Sequence, residues 1–203
     1  MALMQTVQRN LNNNSIPSGF GTFGTGFAYT NQRLEMQSQL ASTYSGLDTG
    51  GTTYDLTASF ASVQYIGHDA GATSIPSFES YPLNLTDSSG NNALMIILQV
   101  SGGAFQVRSY RKVAGASAQL ATETYNAARH RWFRIREAGG TTYWEYSSNG
   151  RTWVTMYSAA TPITITALRF GVMLGTWQAE GTQAKIYLDN FNLPSFIPLI
   201  NSA

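Results

Sequence analysis

Residues 131–157, RWFRIREAGGTTYWEYSSNGRTWVTMY, decide the fold that the sequence predicts. The stretch holds three short runs in which apolar and polar residues alternate, 131–137, 141–147 and 151–157. Alternation with a period of two is typical of a β-strand with one buried face. Gly139-Gly140 and Asn149-Gly150 separate the runs, and Asn-Gly between two such runs is a strong signal for a tight β-hairpin. We therefore expect three consecutive strands joined by short turns.

Strand-like runs also occur on both sides of this stretch. They are Arg33–Gln39, Tyr54–Val63, Ala93–Val100, Phe105–Lys112, Leu168–Leu174 and Ala184–Phe191. The run Ala93–Val100 is almost continuously apolar, as expected for a strand that is covered on both faces. No segment has helical periodicity over three turns, and many short strands at regular spacing are typical of a sandwich or barrel. The sequence therefore predicts an all-β, antiparallel two-sheet β-sandwich over residues 31–191.

Three segments lack a strand pattern. Residues 1–30 are rich in asparagine and glycine turn signals and are predicted to form an irregular N-terminal arm. Residues 66–92, which include Pro76 and Pro82, are predicted to form the longest loop. Residues 192–203 form an apolar C-terminal tail, in which Pro194 and Pro198 exclude a regular helix or a central strand.

The stretch from Arg129 to Phe191 resembles concanavalin A-like, laminin-G-like sandwich domains. The resemblance is carried by a series of motifs in order: Arg131-Trp132-Phe133-Arg134-Ile135-Arg136, Gly139-Gly140, Tyr143-Trp144-Glu145-Tyr146-Ser147, Asn149-Gly150, Trp153 and the closing Tyr187-Leu188-Asp189-Asn190-Phe191. It implies a jelly-roll fold but no particular function, because domains of this kind occur in lectins, glycanases, adhesins and phage tail or fibre proteins.

The composition limits the classes of function. Of the 203 residues, 11% are charged, against about 25% in an ordinary soluble domain, and none is a cysteine. Disulfides, thiolate metal sites and cysteine nucleophiles are therefore excluded. Cationic residues concentrate between Arg108 and Arg151, but the net charge of the whole chain is only +1, which argues against nucleic acid as a partner.

The sequence also gives expectations about location. Residues 1–14 have neither a basic start nor an apolar stretch, so no signal peptide is expected. No run approaches about 18 apolar residues, so no membrane span or membrane partner is expected. Release inside a virus particle at lysis is then one route out of the cell, and we expect the protein to be part of a virion.

The acidic residues do not form a recognisable catalytic motif. The resemblance implies that a glycanase of this fold would carry closely spaced acids on one strand, but no two acids here lie within four residues of each other. Glu137 and Glu145 could still meet across a hairpin, although solvent-facing charge is the simpler interpretation. His68 and His130 lack metal-ligand spacing. We therefore expect no enzymatic activity.

No cofactor is expected from the sequence, with calcium as the one exception. The resemblance to laminin-G-like domains implies loop carboxylates that can bind this ion. The candidates are Asp48, Asp69, Asp87 and Asp189. No calcium-loop motif connects them, and turn hydrogen bonding explains Asp48 and Asp87 equally well.

Strand parity predicts a surface rich in aromatic and arginine side chains, because side chains alternate across a sheet. If the strands are neighbours, one outer face collects Arg108, Tyr110, Trp132, Arg134, Arg136 and Tyr143, together with Glu145, while Tyr187 also points outward and Trp177 is exposed in a loop. Such a set suits sugar rings, a subunit contact, or arginine stems stacked on exposed rings of a solvated sheet.

These observations lead to three hypotheses on function. The first is a non-enzymatic virion structural protein, a jelly-roll module of a phage tail or capsid that assembles with itself or with other virion proteins. Its anchor would be the irregular arm or the apolar tail residues Leu193, Phe196, Ile197, Leu199 and Ile200. The alternative is a lectin-like carbohydrate-binding module for a cell-surface polysaccharide. The third hypothesis is a glycan hydrolase.

Overall fold

The computed structural model describes residues 1–9 and 15–193 of the chain. Within them, the strands are β1 (Gly21–Phe23), β2 (Phe27–Thr30), β3 (Arg33–Gln37), β4 (Tyr44–Asp48), β5 (Phe60–His68), β6 (Phe78–Thr86), β7 (Ala93–Ser101), β8 (Ala104–Val113), β9 (Ala116–Thr124), β10 (Trp132–Ala138), β11 (Thr141–Ser147), β12 (Val154–Ala160), β13 (Arg169–Thr176) and β14 (Lys185–Asp189). A short helix, α1 (Ala70–Ser74), and a 3₁₀ turn, Met4–Thr6, complete the elements.

The strands form two seven-stranded antiparallel sheets. The first sheet has the order β1-β4-β13-β6-β7-β8-β9, and the second has the order β12-β11-β10-β5-β14-β3-β2. The predicted all-β, two-sheet sandwich is therefore confirmed. The predicted succession of three strands over residues 131–157 is found as β10, β11 and β12, which pair with one another in chain order.

The core lies between the sheets and follows the alternation of each strand. Leu94, Ile96 and Leu98 point inward from β7, opposite Phe133 and Ile135 of the second sheet, and all are fully buried. Burial of a side chain of this size contributes about 1.5–3 kcal/mol. The two-sided burial predicted for residues 93–100 is also observed, because the outward-facing residues of β7 are covered as well.

The N-terminal segment differs from its prediction. Residues 21–23 and 27–30 form edge strands of the two sheets, and the side chains of Met4 and Val7 are buried in the core. The prediction of an irregular arm is therefore wrong for these parts. Strands of three or four residues between glycines are too short to give a periodic signal.

The predicted loop 66–92 contains a central strand. Strand β6 lies between β13 and β7, and the register of both ladders shifts beside Pro82, which neither ladder pairs. Proline has no N–H to donate, so a central strand can hold it only at such a bulge. Other residues of β6, such as Phe78 and Leu85, point into the core as a strand requires. Pro82 is therefore the reason why the sequence predicts a loop here.

The beginning of the predicted tail is anchored in the domain. The Asn192 side chain is buried, accepts a hydrogen bond from the Ser62 N–H at 2.5 Å and donates one to the Met4 carbonyl at 2.9 Å. Leu193 is half-buried, and Phe196, Ile197, Leu199 and Ile200 lie outside the described residues. Nowhere in the described ranges does a helix have the length and apolar character needed to cross a bilayer.

Candidate functional site

The outer face of the first sheet carries a group of residues that we call the tyrosine face. Strand registers place Glu79 opposite Gln99, Ile97 opposite Arg108, and Met95 opposite Tyr110. Side chains alternate along β6, β7 and β8: one set points into the core, and these residues belong to the other set, which points outward. The tyrosine face consists of Tyr44, Glu79, Tyr81, Met95, Ile97, Gln99, Arg108, Tyr110 and Lys112.

The tyrosine face has an apolar floor. Met95 and Ile97 point away from the core, yet only 7% and 3% of their surfaces are exposed, because Tyr81 and Tyr110 pack against them from the strands on either side. A depression of about 320 Å³ lies over this floor, and its lining includes Glu79 and Lys112. The rings of two tyrosines thus cover this apolar floor and line a shallow depression that is open to solvent.

A polar network lies at one end of the depression. The hydroxyls of Tyr44 and Tyr81 both donate to Glu79 Oε2 at 2.7 Å. Burial, reinforced by the Glu79 carboxylate, raises the pKa of Tyr44 and of Tyr81 well above the ordinary value for tyrosine. Both hydroxyls therefore remain protonated donors at neutral pH. With its amide oriented to satisfy both neighbours, Gln99 donates to Glu79 Oε1 at 3.3 Å and accepts from Arg108 Nη1 at 2.9 Å.

Trp177 lies just beyond the end of β13, two residues after Gly175, which pairs with Glu79. The backbone N–H of Trp177 donates to the Ser77 carbonyl at 3.3 Å, which extends the ladder between β13 and β6 by one residue. Alternation along β13 gives position 177 the outward parity of Gly175, and 47% of the Trp177 surface is exposed. Gly175 is required for close packing, because a Cβ at this position would come within 2.7 Å of Tyr44 Cδ1.

The outer face of the second sheet carries a different arrangement, which we call the ion-pair face. It consists of Arg134, Arg136, Tyr143, Glu145 and Trp153. Arg134 Nη2 lies 2.7 Å from Glu145 Oε2, and Arg136 Nε lies 3.1 Å from Glu145 Oε1. Burial lowers the pKa of Arg134, while the Glu145 carboxylate opposes this change.

The rings of the ion-pair face are occupied by its own arginines. The Arg134 guanidinium lies 4.1 Å from the ring centre of Trp153, and that of Arg136 lies 3.7 Å from the ring centre of Tyr143. This arrangement corresponds to the interpretation of arginines stacked on the rings of a solvated sheet.

The predicted binding residues do not share one face. Arg108 and Tyr110 belong to β8 of the first sheet, and Trp177 follows β13 of the same sheet. Arg134, Arg136, Tyr143 and Tyr187 lie on the second sheet, across the core. The expectation of a single face is wrong because parity tells which side of a strand points outward, but not to which sheet the strand belongs.

Two of the predicted residues are also less accessible than expected. Trp132 is 4% exposed, so its ring is not available as a platform for a ligand. The Tyr187 ring is covered by the Arg33 guanidinium at 4.0 Å. A role in binding for the predicted residues on the second sheet stays a prediction.

Glu137 and Glu145 are not the solvent-facing charges that the sequence suggested. Both are buried, and Glu137 accepts hydrogen bonds from the Ala58 N–H at 2.6 Å and the Gly140 N–H at 2.5 Å. His130 is also buried, its Nδ1 accepts from the Asn126 N–H at 2.8 Å, and burial lowers its pKa. These groups stabilise loops and strand ends.

The four calcium candidates lie in separate local structures. Asp48 accepts from the Gly50 N–H at 2.7 Å, and Asp69 caps α1 by accepting from the Ala72 N–H at 3.2 Å. Asp87 orders a turn through Asn92 Nδ2 at 2.7 Å, and Asp189 accepts from the Asn190 N–H. Over residues 1–9 and 15–193 there is no group of three or more histidines or acids that could hold a metal ion. Calcium binding stays a prediction.

Of the nine residues of the tyrosine face, sequence reasoning found only Arg108 and Tyr110, and it missed Tyr44, Glu79, Tyr81, Met95, Ile97, Gln99 and Lys112. The sequence predicts a loop around Glu79 and Tyr81, because Pro82 interrupts their strand. The strand could have been recognised from its inward-facing residues, Phe78, Ser80, Leu83 and Leu85. Their spacing is two residues except at the bulge, where one extra residue is inserted. Gln99 lies in a predicted strand, and its parity is that of the outward-facing residues Met95 and Ile97.

Comparison with known proteins identifies structures of similar fold. No protein-family model and no curated protein sequence matches the chain. The β-glucanase of Bacillus licheniformis has a TM-score of 0.62 at 11% identity and covers 91% of this chain and 96% of that chain. The CBM2 module of the evolved Dit of Lactobacillus casei BL23 phage J-1 has a TM-score of 0.60 at 12% identity, over 93% and 96% of the two chains.

A third structure is matched only in part. The Bacteroides ovatus xyloglucan PUL protein GH43B has a TM-score of 0.61 at 10% identity over 91% of this chain. The present chain spans only 38% of the length of that protein.

These similarities correct the leading hypothesis on function. The prediction of a non-enzymatic virion structural protein is wrong, because the similar structures are mostly glycoside hydrolases, with a phage module among them. The prediction that the chain is not an enzyme is contradicted by the same structures. The absence of closely spaced acids along one strand does not exclude activity, because acids from different strands can also converge on one face.

The fold shared with these structures agrees with the resemblance seen in residues 129–191. Identities of 10–12% show the fold and not the activity. The chain has the concanavalin A-like β-sandwich fold.

Proposed function

We propose that the protein binds a carbohydrate on the tyrosine face. The observation that carries this proposal is the depression of about 320 Å³, in which Tyr81 and Tyr110 border the floor made by Met95 and Ile97. Sugar rings have apolar faces that pack on aromatic rings, while their hydroxyls need hydrogen-bonding groups at the rim. The tyrosine face offers both at once.

The polar network provides the second requirement. Glu79 is an acceptor for sugar hydroxyls, and the amide of Gln99 offers both a donor and an acceptor. The Arg108 guanidinium adds further donors in a fixed geometry. Since these groups already bond to one another, they are held in position before a ligand arrives.

The similar structures support the proposal. The β-glucanase and the phage CBM2 module both match over nearly their whole length. The ion-pair face is a poorer candidate, because its cations and rings are engaged with each other.

Affinity electrophoresis in gels that contain polysaccharides tests the proposal. We expect β-1,3-1,4-glucan, xyloglucan or an acidic polysaccharide to retard the protein. Tyr110→Ala should weaken that binding at least tenfold, because aromatic contacts of this kind contribute about 2 kcal/mol. Tyr143→Ala removes a ring from the ion-pair face and serves as the matched control. Equal binding by both variants, or no retardation in any gel, would disprove carbohydrate binding at this face.

Glycan cleavage is a second candidate function. It is favoured by Glu79, the only acid among the residues that line the depression. Hydrolysis of a glycosidic bond requires two carboxyl groups about 5–9.5 Å apart, so a second acid would have to act with Glu79. Release of reducing ends from β-1,3-1,4-glucan, abolished in Glu79→Gln while binding persists, is the expected result. Product formation that continues at the same rate in Glu79→Gln would exclude this residue.

A further inference from the structure

The cations of the two faces have different partners. On the second sheet, Arg134 and Arg136 pair with Glu145, and Arg33 and Lys185 pair with Glu35. On the tyrosine face, Arg108 bonds to the amide oxygens of Gln106 and Gln99, and Lys112 Nζ bonds to the Gly90 carbonyl at 2.9 Å. Within the described ranges, neither Arg108 nor Lys112 forms an ion pair with a carboxylate.

The two cations flank a tyrosine ring. Arg108, Tyr110 and Lys112 are alternate residues of β8 and therefore share the outer face, with about 7 Å between successive positions. A sugar ring that packs on Tyr110 has a positive charge on either side along the strand. Half-buried cations with neutral partners have spare capacity for a charged acceptor, and a guanidinium matches the two oxygens of a carboxylate.

The acid of the same face lies at the opposite end. Glu79 is in register with Gln99 and Gln106, whereas Lys112 is six residues further along β8 and two strands across. At about 3.3 Å per residue, this separation is roughly 20 Å along the strands, which exceeds the screening length at physiological ionic strength. The negative charge of Glu79 is therefore screened from an anion beside Lys112, whereas Arg108 lies closer to Glu79 and is linked to it through Gln99.

We infer that the ligand is an acidic glycan, whose uronate carboxylate is bound by Arg108 or Lys112 while its ring packs on Tyr110. This inference rests on the proposed carbohydrate binding and adds the chemical class of the sugar. A carboxylate attached to the ring lies at the ring edge, where it can meet a cation beside the tyrosine. A neutral glycan would leave Arg108 and Lys112 with neutral oxygen partners and no carboxylate.

Binding to matched pairs of polysaccharides tests the inference. Each pair compares an acidic polymer with its neutral derivative: polygalacturonate with its methyl ester, alginate with carboxyl-reduced alginate, and hyaluronan with carboxyl-reduced hyaluronan. In at least one pair we expect the acidic member to bind about tenfold or more tightly, with an affinity that falls as salt rises. Absence of any difference within all three pairs would overturn the inference.

Charge-removing variants locate the contact. Arg108→Gln and Lys112→Gln should each weaken binding of the acidic polymer about tenfold, and Lys112→Gln should leave binding of the neutral polymer unchanged. Lys185→Gln, on the second sheet, is the matched control and should change neither. If Arg108→Gln fails to fold by circular dichroism, Lys112→Gln carries the test alone, because Lys112 bonds only a surface carbonyl.

The outcomes separate this inference from the proposed function. Neutral polymers that bind as well as acidic ones, with binding lost in Tyr110→Ala, would refute the acidic ligand and retain carbohydrate binding. Binding of the acidic polymer that is insensitive to Tyr110→Ala and to both charge variants would refute both.

Discussion

The two outer faces of this sandwich contain similar residue types and differ in what those residues contact. On the ion-pair face, Glu145 is bonded to two arginines, which in turn cover the rings of Trp153 and Tyr143. On the tyrosine face, the cations have neutral partners, and the rings border an apolar depression. A surface rich in arginine and aromatic residues therefore becomes a candidate binding site where its cations are not paired with carboxylates and its rings are not covered by its own arginines.

The largest expected effect is on the ion-pair face. Glu145→Gln leaves Arg134 and Arg136 without their shared carboxylate, and Glu145 is only 3% exposed. Removing one partner of such a network costs about 3 kcal/mol, so the free energy of unfolding should fall by that amount. Urea denaturation provides the measurement, and polysaccharide binding should stay unchanged. A loss below about 0.5 kcal/mol would show that this network contributes little.

The next effect concerns the packing of Tyr44. Gly175→Ala places a methyl group against the Tyr44 ring and closer still to the Thr43 carbonyl, which should cost about 1–3 kcal/mol. It should also weaken binding by displacing one of the two hydroxyls on Glu79. Gly21→Ala, on the edge strand of the same sheet, meets no atom within 4 Å and is the control. Equal melting temperatures for the two variants would contradict the close approach.

A smaller effect is expected at alkaline pH. Tyr44 and Tyr81 keep their protons in the folded state because their pKa values are raised by burial and by Glu79. In the unfolded chain they release protons near pH 10, so stability should fall as pH rises above that value. Tyr81→Phe should reduce the slope of stability against pH between about 10 and 11. An unchanged slope would mean that the Tyr81 hydroxyl is not shielded from solvent.

The smallest effect on stability is expected at Trp177. Because this side chain is 47% exposed, Trp177→Ala should change the free energy of unfolding by less than about 0.5 kcal/mol. Its position at the end of the tyrosine face predicts that binding of a long polysaccharide weakens, while binding of a short oligosaccharide does not. Calorimetry with chains of both lengths distinguishes a peripheral contact from no contact.

The fold could be predicted where the information is local. Strands β10 to β12 follow from alternation and from the turn signals Gly139-Gly140 and Asn149-Gly150, which act between residues close in sequence. The division of strands between the sheets depends on pairing between distant segments, such as β13 with β4 and β6. For this reason the alternation along β8 correctly predicts that Arg108 and Tyr110 point outward, but the expectation that they lie beside Arg134 and Arg136 is wrong.

The candidate site was only partly accessible to sequence reasoning. The sequence identifies Arg108, Tyr110 and Trp177 as candidate binding residues. It does not identify Glu79 and Tyr81, because Pro82 interrupts the alternating pattern of their strand. Tyr44 begins a strand of five residues next to a glycine-rich turn, which is too short for a periodic signal. The bulge and the short strand are therefore the reason why these three residues of the tyrosine face could not be predicted.

Strand β7 has a consequence for the dynamics of the candidate site. Because the core covers one side of this strand and two tyrosines cover the other, its amide protons should exchange with solvent only when the whole domain opens. A molecule bound on this face would therefore rest on a strand that is covered on both sides. The protein would lose little conformational entropy on binding, so a modest number of contacts could be enough to hold a polysaccharide.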